Sequence, residues 1–301
     1  MMYEQEQELK LISLERDKER DYRRRPAGQS AAAKRRKRLI RQRRRRRMRI
    51  MGILVVTAVL LLAVCWKTNW FTKLPAFGQA ASLPKRVEQL EKKVRAQPQE
   101  YPQELLELLE QNEETYDFVE NYAKREDYQG KDIDLSDSIS EGDVPLLMQW
   151  DKRWGYDWYG DSMIGLAGCG PTCMTMAYLY YTKDSEMNPR RMAEYAQDNG
   201  YHSEEGTSWS FWTDGAAGLG LHGEQVSLSR SSMQAVLDAG GLIVCSMAPG
   251  DFTTTGHYIL LRGYDKNGFF VNDPNRNSNS QKQWDFDTLS TQIKNLWAIY
   301  R

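Results

Sequence analysis

Residues Gly256-His257-Tyr258-Ile259-Leu260-Leu261-Arg262-Gly263-Tyr264-Asp265-Lys266-Asn267-Gly268-Phe269-Phe270-Val271-Asn272-Asp273-Pro274 decide the fold. Two apolar, β-prone runs, Tyr258 to Tyr264 and Phe269 to Asn272, flank Asp265-Lys266-Asn267-Gly268. Asp, Asn and Gly between two such runs signal an antiparallel hairpin, because they tolerate the turn backbone that other residues resist. A further apolar run, Leu242 to Met247, supplies another strand. Upstream the chain reads as helices. One starts at Gly170 with Pro171 in its first turn; the next runs from Met187 to Asn199 and stops at Gly200. Trp209 to Leu219 and Ser231 to Ala239 follow. Helices first and an antiparallel sheet after them is an α+β pattern, expected over residues 143–301.

Three side chains in this region carry chemistry. Cys169 sits in Gly168-Cys169-Gly170-Pro171-Thr172, at the expected start of a helix. A thiol attacks a carbonyl as the thiolate, and a helix N-terminus or a neighbouring imidazolium favours that form. The flanking glycines permit a tight turn and close approach of a second backbone. A lone Gly-Cys-Gly can equally be a turn around a small apolar residue, so its partners matter. Cys173, one turn later, is expected to face the core, and Cys245 to be a small buried residue.

A base for that thiol must be a histidine, and the sequence has three: His202, His222 and His257. His202 lies beside Glu204 and Glu205 in a polar loop, and His222 near a helix end; both read as ordinary surface or part-buried residues. His257 alone opens an apolar strand, after the loop Pro249 to Gly256, which suits the wall of a cleft. Its imidazole needs an acceptor on the second ring nitrogen. Asp273 is the candidate, with Asn272 as the fallback. A two-residue turn at Lys266-Asn267 would set His257 opposite about residue 276, beyond Asp273, so a bulge or a wider turn is required. An oxyanion would need donors, for which the Cys169 N–H and the Gln149 amide are candidates. Trp150 and Trp154 are expected to pack.

The net charge of zero hides an asymmetry: residues 1–50 carry 19 Lys+Arg against 7 Asp+Glu. From Lys34 to Arg49, 12 of 16 residues are basic, and Ile50 to Trp66 follows with 17 uncharged residues. A basic run alone would suit nucleic acid, but no aromatic interleaving or nucleic-acid fold accompanies it. A basic flank before an apolar segment of spanning length places the N-terminus in the cytoplasm and the C-terminus outside. The expected organisation is a cytoplasmic tail at 1–49, a transmembrane helix at 50–66, a linker or stalk at 67–100 and a helical region at 101–142. That region's apolar stripes, Leu105 to Leu109 and Tyr116 to Tyr122, need a partner, so it is expected to pack on the following domain. No Cys/His spacing reads as a zinc site, and no cofactor is expected. Oligomeric state is not readable.

Gln149-Trp150-Asp151-Lys152-Arg153-Trp154-Gly155, Ala167 to Thr172, Gly206-Thr207-Ser208-Trp209, Gly256 to Tyr264 and Val271 to Pro274 together resemble the C-39-like cysteine peptidases. These are relatives of the bacteriocin-processing double-glycine peptidases within the papain-like superfamily. The resemblance covers about half of the chain. It implies a papain-like α+β fold with Cys169 as nucleophile, His257 as base and acid, Asp273 as orienter and Gln149 in the oxyanion hole. It also suggests that the helices at 101–125 belong with the domain in a Gram-positive surface protein. Two departures stand out. The bacteriocin-processing relatives carry the Gln a few residues before the Cys, whereas here 20 positions separate them. Those relatives are also cytosolic domains of ABC exporters; no exporter follows here, so a double-glycine leader substrate does not carry over.

The expectation is a membrane-anchored, outward-facing thiol hydrolase acting on a peptide or protein substrate. Acyl transfer uses the same chemistry. The rival readings are an inactive module of the same fold that binds a peptide or partner, and a cell-wall endopeptidase or transpeptidase.

Overall fold

The structure is a computed structural model, and it describes residues 83–301 apart from residue 205. The expected tail at 1–49, the spanning segment at 50–66 and the linker up to residue 82 lie outside the described residues. Among the described residues, no helix is long and apolar enough to cross a membrane.

Three helices come first: α1, Leu83–Ala96; α2, Gln103–Gln111; and α3, Tyr116–Glu120. Their apolar residues recur every three or four positions, so each helix has one face to bury. α1 buries Val87, Leu90 and Val94, and α2 buries Leu105, Leu106 and Leu109. Asn112 ends α2 and caps the next turn, its Oδ1 accepting the Glu114 N–H at 3.2 Å. The three stripes form one apolar cluster with Tyr156 and Met163. The Phe118 ring stacks on Tyr156 at 4.5 Å, and the Tyr156 hydroxyl donates to the Phe118 carbonyl at 2.6 Å.

The chain then forms a small hairpin, β1 (Trp158–Tyr159) and β2 (Ser162–Met163), and a single helical turn, α4 (Ile164–Ala167). Helix α5, Cys169–Thr182, follows directly. It is apolar nearly all round and buries Pro171 to Ala177 without a break, as a helix inside a core must. α6, Pro189–Asp198, starts with Asn188 accepting the Arg191 N–H and Pro189 in the first turn. A short hairpin, β3 (His202–Ser203) and β4 (Gly206–Thr207), leads to a tight helical turn over Trp209–Trp212 and then α7 (Asp214–Gly218). The sequence pattern suggested one helix from Trp209 to Leu219. It divides at Thr213, whose N–H closes the tight turn on the Ser210 carbonyl before α7 begins, and glycines at 215 and 218 weaken the helix on that side.

The remaining elements are β5 (His222–Gln225), α8 (Arg230–Asp238), β6 (Leu242–Met247), β7 (His257–Asp265), β8 (Gly268–Asn272), α9 (Asn277–Ser280), β9 (Gln283–Trp284), α10 (Phe286–Ser290) and β10 (Ile293–Tyr300). Six strands make one sheet in the order β5-β10-β6-β7-β8-β9, every pair antiparallel. The fold is thus α+β with an antiparallel sheet. The last strand, β10, fills the gap between β5 and β6, an insertion that no local pattern signals. Alternation along the strands splits the core. Leu242, Val244, Tyr258, Leu260, Trp297 and Ile299 pack with α5, while Ile243, Cys245, Ile259 and Leu261 pack with Met233 and Val236 of α8.

Candidate active site

Cys169 is the first residue of α5, so its N–H belongs to the turn that has no intrahelical acceptor. The glycines beside it serve close packing rather than unusual backbone angles. A side chain at Gly170 would collide with the Thr207 hydroxyl, and one at Gly168 would meet Ile164 at 2.5 Å. Thr207 in turn shares a 2.8 Å hydrogen bond with the buried Tyr159 hydroxyl, and its carbonyl accepts from Tyr258 at 2.9 Å. The helix start is therefore packed between α4 and β4, which holds the thiol in place. Cys169 is partly exposed, whereas Cys173 and Cys245 are fully buried, and all three are free. The Cys173 thiol donates to the Tyr258 carbonyl at 3.4 Å, and burial pushes both buried thiols well above their ordinary range.

Cys169 and His257 line one cleft of about 860 Å³. Trp209, Thr207, Ser246 and Lys294 form other parts of its wall, and the Trp209 ring is 52% exposed. His257 Nε2 lies 2.8 Å from Asp273 Oδ1, with the two side chains 6% and 0% exposed. This leaves Nδ1 as the ring nitrogen that the carboxylate does not occupy, in a cleft that Cys169 also lines. Burial by itself favours the neutral imidazole. The Asp273 carboxylate outweighs it through charge and hydrogen bonding, with a contribution from Cys169, and raises the histidine to about 10. Asp273 is likewise buried, which favours its neutral form, yet His257 and its other donors hold it below the usual carboxylate range. Those donors are the Asn275 N–H at 2.8 Å, the Arg276 N–H at 3.2 Å and the Asn279 amide at 2.7 Å.

The hairpin register explains how the pair meets. β7 and β8 match Asp265 with Gly268, Tyr264 with Phe269 and Gly263 with Phe270, then skip Arg262 so that Leu261 faces Val271 and Leu260 faces Asn272. This bulge takes up one residue of the offset. The ladder ends at Leu260 and Asn272, and Asp273 follows directly, so its carboxylate leaves the strand end and reaches His257 Nε2 at 2.8 Å. Asn272 falls on the other face, where its amide donates to the Pro145 carbonyl at 3.1 Å and its Oδ1 accepts from Arg262 at 2.9 Å. It does not touch the imidazole.

Gln149 stands apart from this arrangement. It is buried, and it is not among the residues of the cleft wall. Its Nε2 donates to the Gly165 and Leu166 carbonyls at 3.0 and 3.3 Å, and its Oε1 has no partner. The sequence expectation had this amide turned toward an oxyanion; the turn before Cys169 takes its hydrogens instead. The long spacing from Gln149 to Cys169 also has a physical account. The intervening residues loop out as the β1–β2 hairpin and return, stitched by Ile164 N–H to Asp157 O and Gly165 N–H to Gly155 O, each at 2.8 Å. Trp154 packs fully buried, and the Trp150 indole donates to the Asn275 carbonyl at 2.7 Å. His202 packs edge-on against Tyr159 at 4.5 Å, and His222 is exposed beside Glu224.

Sequence reasoning missed Asn279, which fixes the second oxygen of Asp273. It sits in the polar run Asn277-Ser278-Asn279-Ser280, where nothing local distinguishes it. Among the described residues, no group of His, Cys, Asp and Glu is placed to hold a metal ion.

The α+β domain thus carries a cysteine that opens a helix, a histidine in the same cleft and a carboxylate bonded to that histidine. Residues 141–301 match the model of the Peptidase_C39 like family, and the chain belongs to that family. Among solved structures, the chain is similar to the peptidase domain of Streptococcus ComA, a bi-functional ABC transporter involved in a quorum sensing pathway. That match has 16% identity over 52% of this chain and 97% of the other, with a TM-score of 0.38. It is also similar to a protein described as a C39-like peptidase from Bacillus anthracis, with 14% identity over 57% of this chain and 98% of the other and a TM-score of 0.36. No curated protein matches the chain.

Proposed function

We propose that this chain is a cysteine peptidase in which Cys169, His257 and Asp273 act together. The observation that carries the reading is the shared cleft of Cys169 and His257, with His257 Nε2 held 2.8 Å from a buried carboxylate. The Cys169 sulfur attacks the carbonyl carbon of a peptide bond, and the π electrons move to oxygen. His257, already the imidazolium, holds a proton on Nδ1 and delivers it to the departing amine as the C–N bond breaks. Water then attacks the thioester, His257 takes a proton from it, and the sulfur leaves as the acid is released. Asp273 fixes the tautomer and stabilises the imidazolium.

The Cys169 N–H is the first oxyanion donor in this reading. Gln149 supplies a second only by giving up its longer bond, the one on Leu166, when charge develops on the substrate oxygen. Replacing Gln149 with Ala then lowers turnover by roughly 10²–10³.

The test is an electrophilic thiol probe on the full chain, followed by a peptide-library digest beside the Cys169→Ala variant. A peptidase labels at Cys169, loses that labelling in His257→Ala, and cuts peptides that Cys169→Ala leaves intact. Labelling no faster than a free thiol, with no cutting, would leave a binding module of the same fold.

We further propose that residues 50–66 anchor the chain in a membrane with the domain outside. The support is the basic run Lys34 to Arg49 ahead of the 17 uncharged residues. Protease added to intact cells digests the domain in this topology and leaves the tail; a protected domain would refute it.

A further inference from the structure

The segment that carries Asp273 is held from outside the family region. Arg276 donates to the Gln111 carbonyl, and the Asn112 amide donates to the Asn275 carbonyl at 2.6 Å. The Glu114 carboxylate accepts the Asn277 N–H at 2.6 Å on one oxygen and the Ser278 N–H at 2.9 Å on the other. Asn112 is itself buried, so its amide cannot turn to water instead. These contacts converge on residues 275–278. The same stretch supplies Asp273 with the Asn275 and Arg276 N–H groups, and Asn279 follows it directly. The family match begins only at residue 141, so Gln111, Asn112 and Glu114 lie outside it, whereas Trp150, which also donates to the Asn275 carbonyl, lies within it. A helical region that merely buried its apolar stripes would have no need for polar contacts gathered on one loop.

We propose that Asn112 and Glu114 are positioning residues for the Cys169–His257–Asp273 site: they fix the 275–278 loop, and the loop fixes the carboxylate. This rests on the peptidase reading above. A carboxylate taking two backbone N–H bonds sets the loop's place and orientation together, and a charged acceptor makes each bond stronger than a neutral pair. Without that grip the loop can drift, Asp273 loses its donors, and the imidazolium loses its partner. Displacements of about 1 Å at such a site cost up to roughly 10²-fold in rate. The helices before the family domain are thereby part of the working unit.

The test uses iodoacetamide on the full chain and follows alkylation of Cys169 by peptide mass at about pH 5 and about pH 10. Four variants are compared: Glu114→Ala, Glu114→Gln, Asn112→Asp and Glu113→Ala. Asn112→Asp keeps the cap on the Glu114 N–H, removes the donation to the loop and sets a buried carboxylate oxygen against the Asn275 carbonyl, so it loosens the loop from this side. Glu113 is exposed and serves as the control. Glu114→Ala and Asn112→Asp are expected to label about tenfold more slowly at the acid end and equally fast at the alkaline end, where an accessible thiol no longer needs an imidazolium to ionise. Glu114→Gln keeps one acceptor oxygen and falls between Glu114→Ala and the parent, and Glu113→Ala matches the parent. If Glu114→Ala fails to fold, Asn112→Asp carries the test. Folded variants that label as the parent does at both ends overturn the inference, and so does an equal loss in the Glu113→Ala control. A parent whose acid-end labelling is unchanged by His257→Ala overturns the peptidase reading and this inference with it.

Discussion

His257 and Asp273 meet at 2.8 Å although the β7–β8 ladder, which ends at Leu260 and Asn272, does not pair them. The skipped Arg262 and the exit of the chain after Asn272 together bring the carboxylate to the imidazole. Among the described residues Nε2 makes no other side-chain hydrogen bond, so the pair depends on one loop and one bulge.

Replacing Asp273 therefore has two consequences. Asp273→Ala leaves His257 buried without its partner and strands three donors, and breaking a buried pair costs about 3–5 kcal/mol. Urea unfolding of the variant is expected to show a loss of that size. Asp273→Asn keeps the volume but offers the wrong group to Nε2, and turnover is expected to fall by about 10²–10⁴. Unchanged unfolding and unchanged turnover would together exclude the pair as a working unit.

The same pair sets a pH dependence. The His257 pKa is raised in the folded state from 6.5 to about 10. Its contribution to stability is fully present below about pH 6.5 and fades as the pH rises toward about 10. The Asp273 pKa is lowered from 3.8, so its contribution is present above that value and fades as the pH falls below it. These are two views of one interaction and are not additive. The stability difference between the parent and His257→Ala is expected to be widest between these limits and to narrow on the alkaline side. Unfolding midpoints measured across that range decide it: a difference that stays constant up to about pH 10 contradicts the assignment.

Gly170→Ala tests the clamp on the helix start. The added methyl meets Thr207, whose hydroxyl is already bonded to Tyr159, so the β4 side of the cleft must shift. Overpacking of this kind costs about 1–3 kcal/mol. Labelling at Cys169 should slow as well, because Thr207 and Cys169 belong to the same cleft. Thermal unfolding and probe labelling measure the two effects, and a variant equal to the parent in both would show that the contact is slack.

Native-state alkylation tests the division among the thiols. Cys169 should react in the folded protein, whereas Cys173 and Cys245 should react only after unfolding, since both are fully buried and their thiols are held protonated. Peptide mapping with and without urea reads this directly. Early modification of Cys245 would mean that the sheet opens at β6.

The elements that could be read along the chain were those with local causes. Asp265 to Gly268 has a turn composition and lies between two apolar runs, so the hairpin was legible, and so were the strand Leu242 to Met247 and the helix opening at Cys169. β10 was not, because its place between β5 and β6 follows from long-range pairing. Cys169, His257 and Asp273 could be nominated from their positions at element ends. Gln149 could be nominated too, but its amide is bonded to the turn at Gly165 and Leu166, a contact made only after the β1–β2 hairpin folds back.

Periodicity and turn chemistry act over a few residues, and for that reason the sequence by itself determined the α+β order, the cysteine at a helix start and the histidine at a strand mouth. Packing acts across the whole chain, and only the tertiary structure decided which carboxylate reaches the imidazole, which thiols are sealed and which loop is gripped by Asn112 and Glu114. A bulge of one residue at Arg262 was enough to change which residues meet, because each step of register moves every later pair along the strand.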